Sequence, residues 1–365
     1  MIKRIYFALL ASLSVFGIGL SSLHAEPAGA IGDNFIYIVE PGDTLSELAT
    51  LYTTRSGLWR QLQNINNVQD ELALPIGMQL EIPFPLIPVV ATDAQLSHTQ
   101  GSVWVNDQSV SAAVSLKAGD IIRTGSNGFA TLKLEDQSTL SLPNNSQLHI
   151  RQLNAFERAR LTDAILELQA GTVESRVAPE HTGVGRFEIH TPLSVTGVRG
   201  TDLRIHTTPA AAMTELLSGK AHYDTRTQQL QSLKATQGVS IQADGTSSIV
   251  PLLAAPTLSE PERGAQGWQV MLEPVAGAQY YVVQVSLDPE GSQLVKHYET
   301  AADQRIIPLL SSGPGEHYAF IRAVDKDGLM GLDATTAFPG QLTLTSSDGS
   351  SVSSGFGSPI LLNHY

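Results

Sequence analysis

Three stretches of distinct apolar patterning follow one another along this chain. In the first, Phe35, Tyr37 and Val39 alternate with their neighbours and predict a strand with one buried face. Pro41-Gly42-Asp43 breaks that strand with turn residues. Thr44-Leu45-Ser46-Glu47 then fits a capping box, in which the Thr44 hydroxyl accepts from the amide of Glu47 and the Glu47 side chain returns to the amide of Thr44. Leu45, Leu48, Ala49 and Tyr52 follow at helical spacing and give one apolar face. A second helix is predicted from near Ser56, with Leu58, Leu62 and Ile65 on one face, Trp59 beside them, and Asn64, Asn66 and Asn67 as its stop. Gln79 alternates with Leu80 and Ile82 in a closing strand that ends at Pro83. Strand, helix, helix, strand in about fifty residues is a very small unit, and no disulfide assists its core.

Pro83-Phe-Pro-Leu-Ile-Pro88 spaces its prolines as an extended, stiff connector. From Leu96 to Asp244 the pattern becomes one of short strands: Ser102 to Val105, Ile121-Ile122, Ala130 to Leu134, Thr139 to Leu142, Leu148 to Ile150, Ile165 to Leu168, Phe187 to His190 and Leu203 to His206. Gly, Asn and Asp punctuate them, as in Gly125-Ser-Asn-Gly128 and Pro143-Asn-Asn145. Asn154 to Asp163 reads as a loop or a short helix. Ser247 to Gly267 holds Pro251, Pro256 and Pro261 and little periodic order. A third patterned stretch then begins. Trp268 to Leu272 alternates, Pro274-Val-Ala-Gly277 turns the chain, and Gln279 to Leu287 is a strong strand with Tyr281, Val283 and Val285 on one face. Val295 to Tyr298, Arg305 to Leu309 and His317 to Val324 are its next strands, and Asp325-Lys-Asp-Gly328 is a turn that lacks the later ligands of a calcium loop. Gln341 to Tyr365, rich in Ser and Gly, reads as a flexible tail. The fold expected is a multidomain, mainly β chain: a small βααβ module, an all-β domain and a β-sandwich. The expected divisions are 1–25, 35–83, 96–244, 256–340 and 341–365.

Residues 1–25 carry the marks of a secretory signal peptide: Lys3 and Arg4, an apolar run from Ile5 to Leu20, and a cleavage site after Ala25. The rival reading is an uncleaved amino-terminal anchor. No later stretch is long and apolar enough to span a membrane. Cleavage removes two of the 22 basic residues and none of the 35 acidic ones, leaving a charge near −15. That excess argues against nucleic acid and anionic membrane surfaces as partners. With no cysteine there is neither disulfide nor thiol catalysis, and export without disulfides suits a bacterial envelope protein.

The first stretch resembles a LysM domain, through Tyr37-Ile-Val-Glu-Pro-Gly-Asp-Thr-Leu45, Ala49 to Tyr52, Trp59 with Asn64, and Leu74-Pro-Ile-Gly77 followed by Leu80-Glu-Ile-Pro83. The resemblance implies binding of N-acetylglucosamine glycans such as peptidoglycan. The implied groove lies between two loops, Gly42, Asp43, Thr44 and Leu45 in one and Leu74, Pro75, Ile76 and Gly77 in the other. Backbone groups would bond the N-acetyl group, and Leu45 and Ile76 would pack on its methyl and on the sugar face. The plainer reading of Gly42, Asp43 and Thr44 is a turn and a cap, and the two readings are compatible. Asp70-Glu71 is an acidic insertion beside the second loop.

The central stretch resembles the FecR domain, in Gly101-Ser-Val103, Leu116 to Asp120, Ile122 to Gly125 with Gly128, Leu132, Asp136 with Ser138, Ser146 with Leu148, Leu168, Gly171, Phe187 with Thr191-Pro192, and Val195 to Thr201. That family implies an envelope β-domain with a binding or sensing role and a protein partner. The third stretch resembles a fibronectin type III-like sandwich, in Trp268, Pro274 to Ala278, Tyr280 to Val285, Tyr318 to Asp325 and Gly328 to Gly331.

Candidate chemistry is sparse. His149, His190, His206 and His222 lie near predicted strands without a ligand spacing, so no metal or other cofactor is expected. Arg199, between Gly197 and Gly200, reads as a loop tether to an acid such as Asp202, or else as an exposed guanidinium for a carboxylate or phosphate. No nucleophile elbow, zinc helix or phosphate-cradling loop is present. The favoured expectation is a non-enzymatic binder of the cell wall. The alternatives are an envelope sensor acting through the FecR-like domain and a peptidoglycan hydrolase, for which no carboxylate pair stands out.

Overall fold

The structure, a computed structural model, describes residues 29–31, 34–156, 161–177, 184–199, 201–225, 231–264, 267–311, 313–340, 342–343, 352 and 361–362. The signal-peptide reading of 1–25 and nearly all of the tail reading of 341–365 lie outside these residues. The described chain is mainly β. Its first unit is a three-stranded antiparallel sheet with Asn34–Ile38 at the centre, flanked by Gly29–Ile31 and Gln79–Pro83, and two helices, Leu45–Thr53 and Trp59–Asn66. Thr44 caps the first helix by accepting from the amide of Glu47 at 3.3 Å. The Glu47 carboxylate returns to the Thr44 hydroxyl at 2.9 Å, where the sequence suggested the Thr44 amide. The stop at Asn67 is a left-handed residue, a conformation asparagine tolerates. Of the face expected from Leu58, Leu62 and Ile65, only Leu62 is buried, because a 3-10 turn at Ser56–Leu58 delays the helix and rotates its apolar stripe.

The central domain is two stacked sheets around one apolar core. One runs through Val103–Val105, Ile121–Thr124, Gln147–Phe156, Val184–His190, Ser194–Arg199 and Lys220–Thr225. The other runs through Ala94–Gln100, Phe129–Lys133, Thr139–Leu142, Asp202–Thr207, Ala211–Leu216, Gln237–Gln242 and Ser247–Pro251. One long strand, Leu161–Arg176, belongs to both: up to Ala170 it pairs with Gln147–Phe156, and from Gly171 it pairs with Asp202–Thr207. The crossing needs Gly171, whose φ is +79°; a side chain there would meet the backbone of Asn145 and Ser146. Residues 154–156 and 161–163, read as loop or helix, are the ends of these two strands, paired at Asn154↔Asp163 and Phe156↔Leu161. Ser247–Pro251 is likewise ordered as an edge strand. The third unit packs the sheet Glu262–Gly264, Gly267–Met271, Ile306–Pro308 on the sheet Leu294–Ala301, Tyr280–Ser286, Glu316–Val324, Ala334–Pro339, around Val270, Tyr281, Val283, Ile307, Ile321 and Phe338.

Two joints connect the three units. At the first, Pro83–Pro88 is no extended spacer. Its apolar residues gain more by burial than by staying exposed, so the chain makes a 3-10 turn at Phe84–Leu86 and buries Phe84 and Ile87 in the core of the first module. Phe156, from the central domain, joins that same core and stacks on Phe84 with ring centroids 5.0 Å apart. Arg186 lies over Phe84 and pairs with buried Asp163 at 2.7 Å, and Val89–Ala91 adds to the end of strand Gln147–Phe156.

At the second joint, strands are buried on both faces. In Ala211–Leu216, Ala212 and Leu216 are wholly buried, yet Ala211, Met213 and Glu215 on the opposite face are buried too. In Tyr280–Ser286, Tyr281, Val283 and Val285 face the sandwich core, and Val282, Gln284 and Ser286 are also buried. The sandwich covers the outer face of the central domain. Leu329 packs on Ala211 and Met213.

Candidate functional site

The two loops singled out in the first module are brought together. The left-handed Gly42 (φ +97°) lets the chain turn back from the strand. Asp43 then closes that turn, its Oδ2 accepting from the Glu40 amide at 2.7 Å and from the Tyr37 hydroxyl at 2.9 Å. Burial first, and the Asp43 carboxylate second, push the Tyr37 phenol far above its ordinary range, so it stays a donor to Asp43. The amide of Leu45 donates to the carbonyl of Glu71 at 3.0 Å and bridges one loop to the other. On the far side the Gly77 amide donates to the carbonyl of Val39 at 2.8 Å, and the Val39 amide to the carbonyl of Met78 at 2.9 Å. Asp70 organises its own turn by accepting from the Leu72 amide at 2.9 Å. The acidic insertion therefore shapes the second loop, and its Glu71 carbonyl ties that loop to the first.

The lips of the groove are not quite those expected. Ile76 is 70 % exposed, and Pro75 and Gly77 stand open beside it, with nothing within 4 Å of where a Gly77 side chain would begin. Leu45 is 0 % exposed and Leu74 is 8 % exposed; both serve the core and neither can pack on a sugar. The first residue of a helix whose apolar stripe faces inward has no second face to offer. Leu72, in the same loop, is the other strongly exposed apolar residue, at 70 %. Its place directly after Asp70-Glu71, in the turn that Asp70 closes, is the signal that could have found it.

Elsewhere the candidate groups have local partners. His149 lies 3.2 Å from Glu167, His190 2.7 Å from Glu188, His206 2.8 Å from the Thr172 hydroxyl and His222 3.2 Å from Ser232. Among the described residues no group of three or more His, Cys, Asp or Glu is placed to hold a metal ion. Asp202 is paired with Arg176 at 3.4 Å; the side chain of Arg199 lies outside the described residues. Among the described residues no helix is long and apolar enough to cross a membrane.

Two family models match parts of the chain. Residues 37–83 match the family model described as LysM domain, and residues 120–222 match that described as FecR protein. Among solved structures, two crystal structures of a candidate anti-sigma factor from Parabacteroides distasonis ATCC 8503 share 12 % identity over 36 % of this chain, with a TM-score of 0.30. The chain spans 59 % of the length of those structures, and a likeness this slight does not bear on function. No curated protein matches the chain.

Proposed function

We propose that this chain, which carries a LysM domain and a FecR domain, is a non-enzymatic component of the bacterial envelope, acting in the periplasm. It holds peptidoglycan in the groove between Gly42–Leu45 and Leu74–Gly77 and presents its two β-units to a protein partner. The observation that carries the reading is the Leu45–Glu71 bridge at 3.0 Å, which ties the first loop to the loop that exposes Leu72 and Ile76. A sugar ring needs that combination: apolar surface for its face and fixed backbone groups for its N-acetyl arm. A single small groove binds weakly, so affinity is best read on insoluble cell wall, where many sites are offered.

The test is sedimentation with purified peptidoglycan of the chain from Glu26, of a form lacking Phe35 to Pro83, and of the double variant Thr44→Ala, Ile76→Asp. Only the unaltered chain is expected to sediment. Binding that survives the double change sinks the groove assignment, and clearing of cell wall in a zymogram replaces the binder by a hydrolase. The FecR match also favours a second, compatible reading, in which the wall-held chain reports envelope state to its protein partner.

A further inference from the structure

The second joint is built from charge. On the FecR side three adjacent strands set Glu174, Arg204 and Glu215 in one row, and the next residue across is Gly238. A side chain at Gly238 would collide with Leu252 and with Leu329 of the sandwich, so the row ends in a seat for those two residues. On the sandwich side stand Gln284, Arg322 and Asp333. Arg322 donates to Glu174 at 3.0 Å and to Gln284; Gln284 donates to Glu174 at 2.6 Å. Arg204 donates to Asp333 and to the carbonyl of Gly331 at 2.9 Å. Arg322 Nε and Asp333 Oδ1 lie 2.8 Å apart, close as ions but out of line for a hydrogen bond. Both guanidiniums are 1 % exposed.

Three carboxylates share these two guanidiniums, and Glu215 is the one left over. It is 0 % exposed. One oxygen accepts from the Met330 amide at 3.1 Å, and the other has no partner. The terminal nitrogens of Arg204 and Arg322 donate to Asp333, Gly331, Glu174 and Gln284, and the buried Arg204 Nε has no partner, so it makes no hydrogen bond to Glu215 either. An ionised Glu215 is then a buried charge with one hydrogen bond, which protein interiors tolerate poorly.

We propose that the joint between the FecR domain and the C-terminal sandwich is a pH-dependent latch, closed by the Arg204–Arg322 cluster while Glu215 is protonated and loosened when Glu215 ionises. Burial raises the Glu215 carboxyl from 4.5 to about 7, with Arg204 and the Met330 amide offsetting only part of that rise. The closed joint therefore keeps a proton that the open one releases. Its hold is complete below 4.5 and is lost as pH rises through about 7. Glu174 acts in the opposite sense at lower pH. Burial raises its carboxyl, but Arg322 and Arg204 outweigh burial and hold it below the ordinary range, so its contribution fades in stronger acid. Arg176, Asp202 and Glu290 line the same pocket as the cluster; Tyr280 feels Glu215, and His297 feels Glu174, Arg322 and His206. Burial pushes the Tyr280 phenol up and both imidazoles down, away from their ordinary ranges.

The chain has no cysteine, so Asp107→Cys and Asp303→Cys give a single dye pair, one dye on each unit, in the full chain. Energy transfer is expected to show the ratio of open to closed molecules rising about tenfold from pH 6 to pH 8. Glu215→Gln, which cannot ionise, is expected to stay closed at both; His206→Gln and His297→Gln are expected to respond like the unaltered chain. An unchanged ratio across that range overturns the latch, as does a Glu215→Gln form that still opens. Loss of the response in either histidine variant transfers the switch to that imidazole and removes Glu215 from it.

Discussion

The two joints of this molecule solve one problem with opposite chemistries. The LysM domain is fastened to the FecR domain chiefly by aromatic rings: Phe156 crosses over and becomes part of its neighbour's core, stacked on Phe84, with the single ion pair Arg186–Asp163 beside them. The sandwich is fastened by ion pairs whose guanidiniums are almost wholly buried and whose carboxylates, Asp333 and Glu174, are partly exposed. Apolar burial is additive and needs no exact partner, whereas a buried ion is favourable only while its counter-ion is in place. The first joint is therefore built to persist and the second to be conditional.

The contrast breaks hardest at its two centres. Arg322→Ala leaves Glu174 and Asp333 without a shared cation, at a cost of about 3–5 kcal/mol. We expect the sandwich to undock while its own core survives, seen as new protease cleavage within Leu252 to Pro261 with the sandwich fragment intact. Phe156→Ala removes a ring from a shared core and costs about the same, about 3–5 kcal/mol. There the LysM domain and its joint are expected to fail together, in one thermal transition that also ends cell-wall binding. A LysM domain that still binds and melts at its old temperature would show the core is not shared. Next in size is the pH response: the aromatic joint, having no proton to lose at Phe84 or Phe156, should keep the same spacing of dyes on LysM and FecR from about pH 6 to 8 while the ionic joint moves. Smallest is Thr44→Ala, which loses the helix cap at a cost of about 1 kcal/mol and should lower the thermal midpoint of the LysM domain without touching either joint.

The same contrast explains what could be read beforehand. Thr139–Leu142 was legible to the residue, and so was the capping box at Thr44, because each is encoded by its neighbours in sequence. Ala211–Leu216 was not, since a strand covered on both faces has no alternation to detect. In Tyr280–Ser286 the inward Tyr281, Val283 and Val285 were seen, but nothing local marks Val282 and Gln284 as buried by another domain. Nothing in the sequence marks Arg204, Glu215 and Arg322 as a cluster, for the same reason: their counter-ions are far away in sequence, up to 148 positions for Arg322 and Glu174. In the groove, Leu45 was misread because an apolar residue at a helix start can serve the core or a ligand, and only the inward stripe decides.

Strand Leu161–Arg176 reaches both joints, with Asp163 at one and Glu174 at the other, and it turns its corner at Gly171. The backbone of Asn145 and Ser146 fills the space beside that corner, so the strand is an angle bracket and not a hinge. On the proposed reading of the LysM groove, a wall-held copy would pass its bearing from one joint to the other along this single strand, so the direction of its FecR face would be set by carpentry inside the protein.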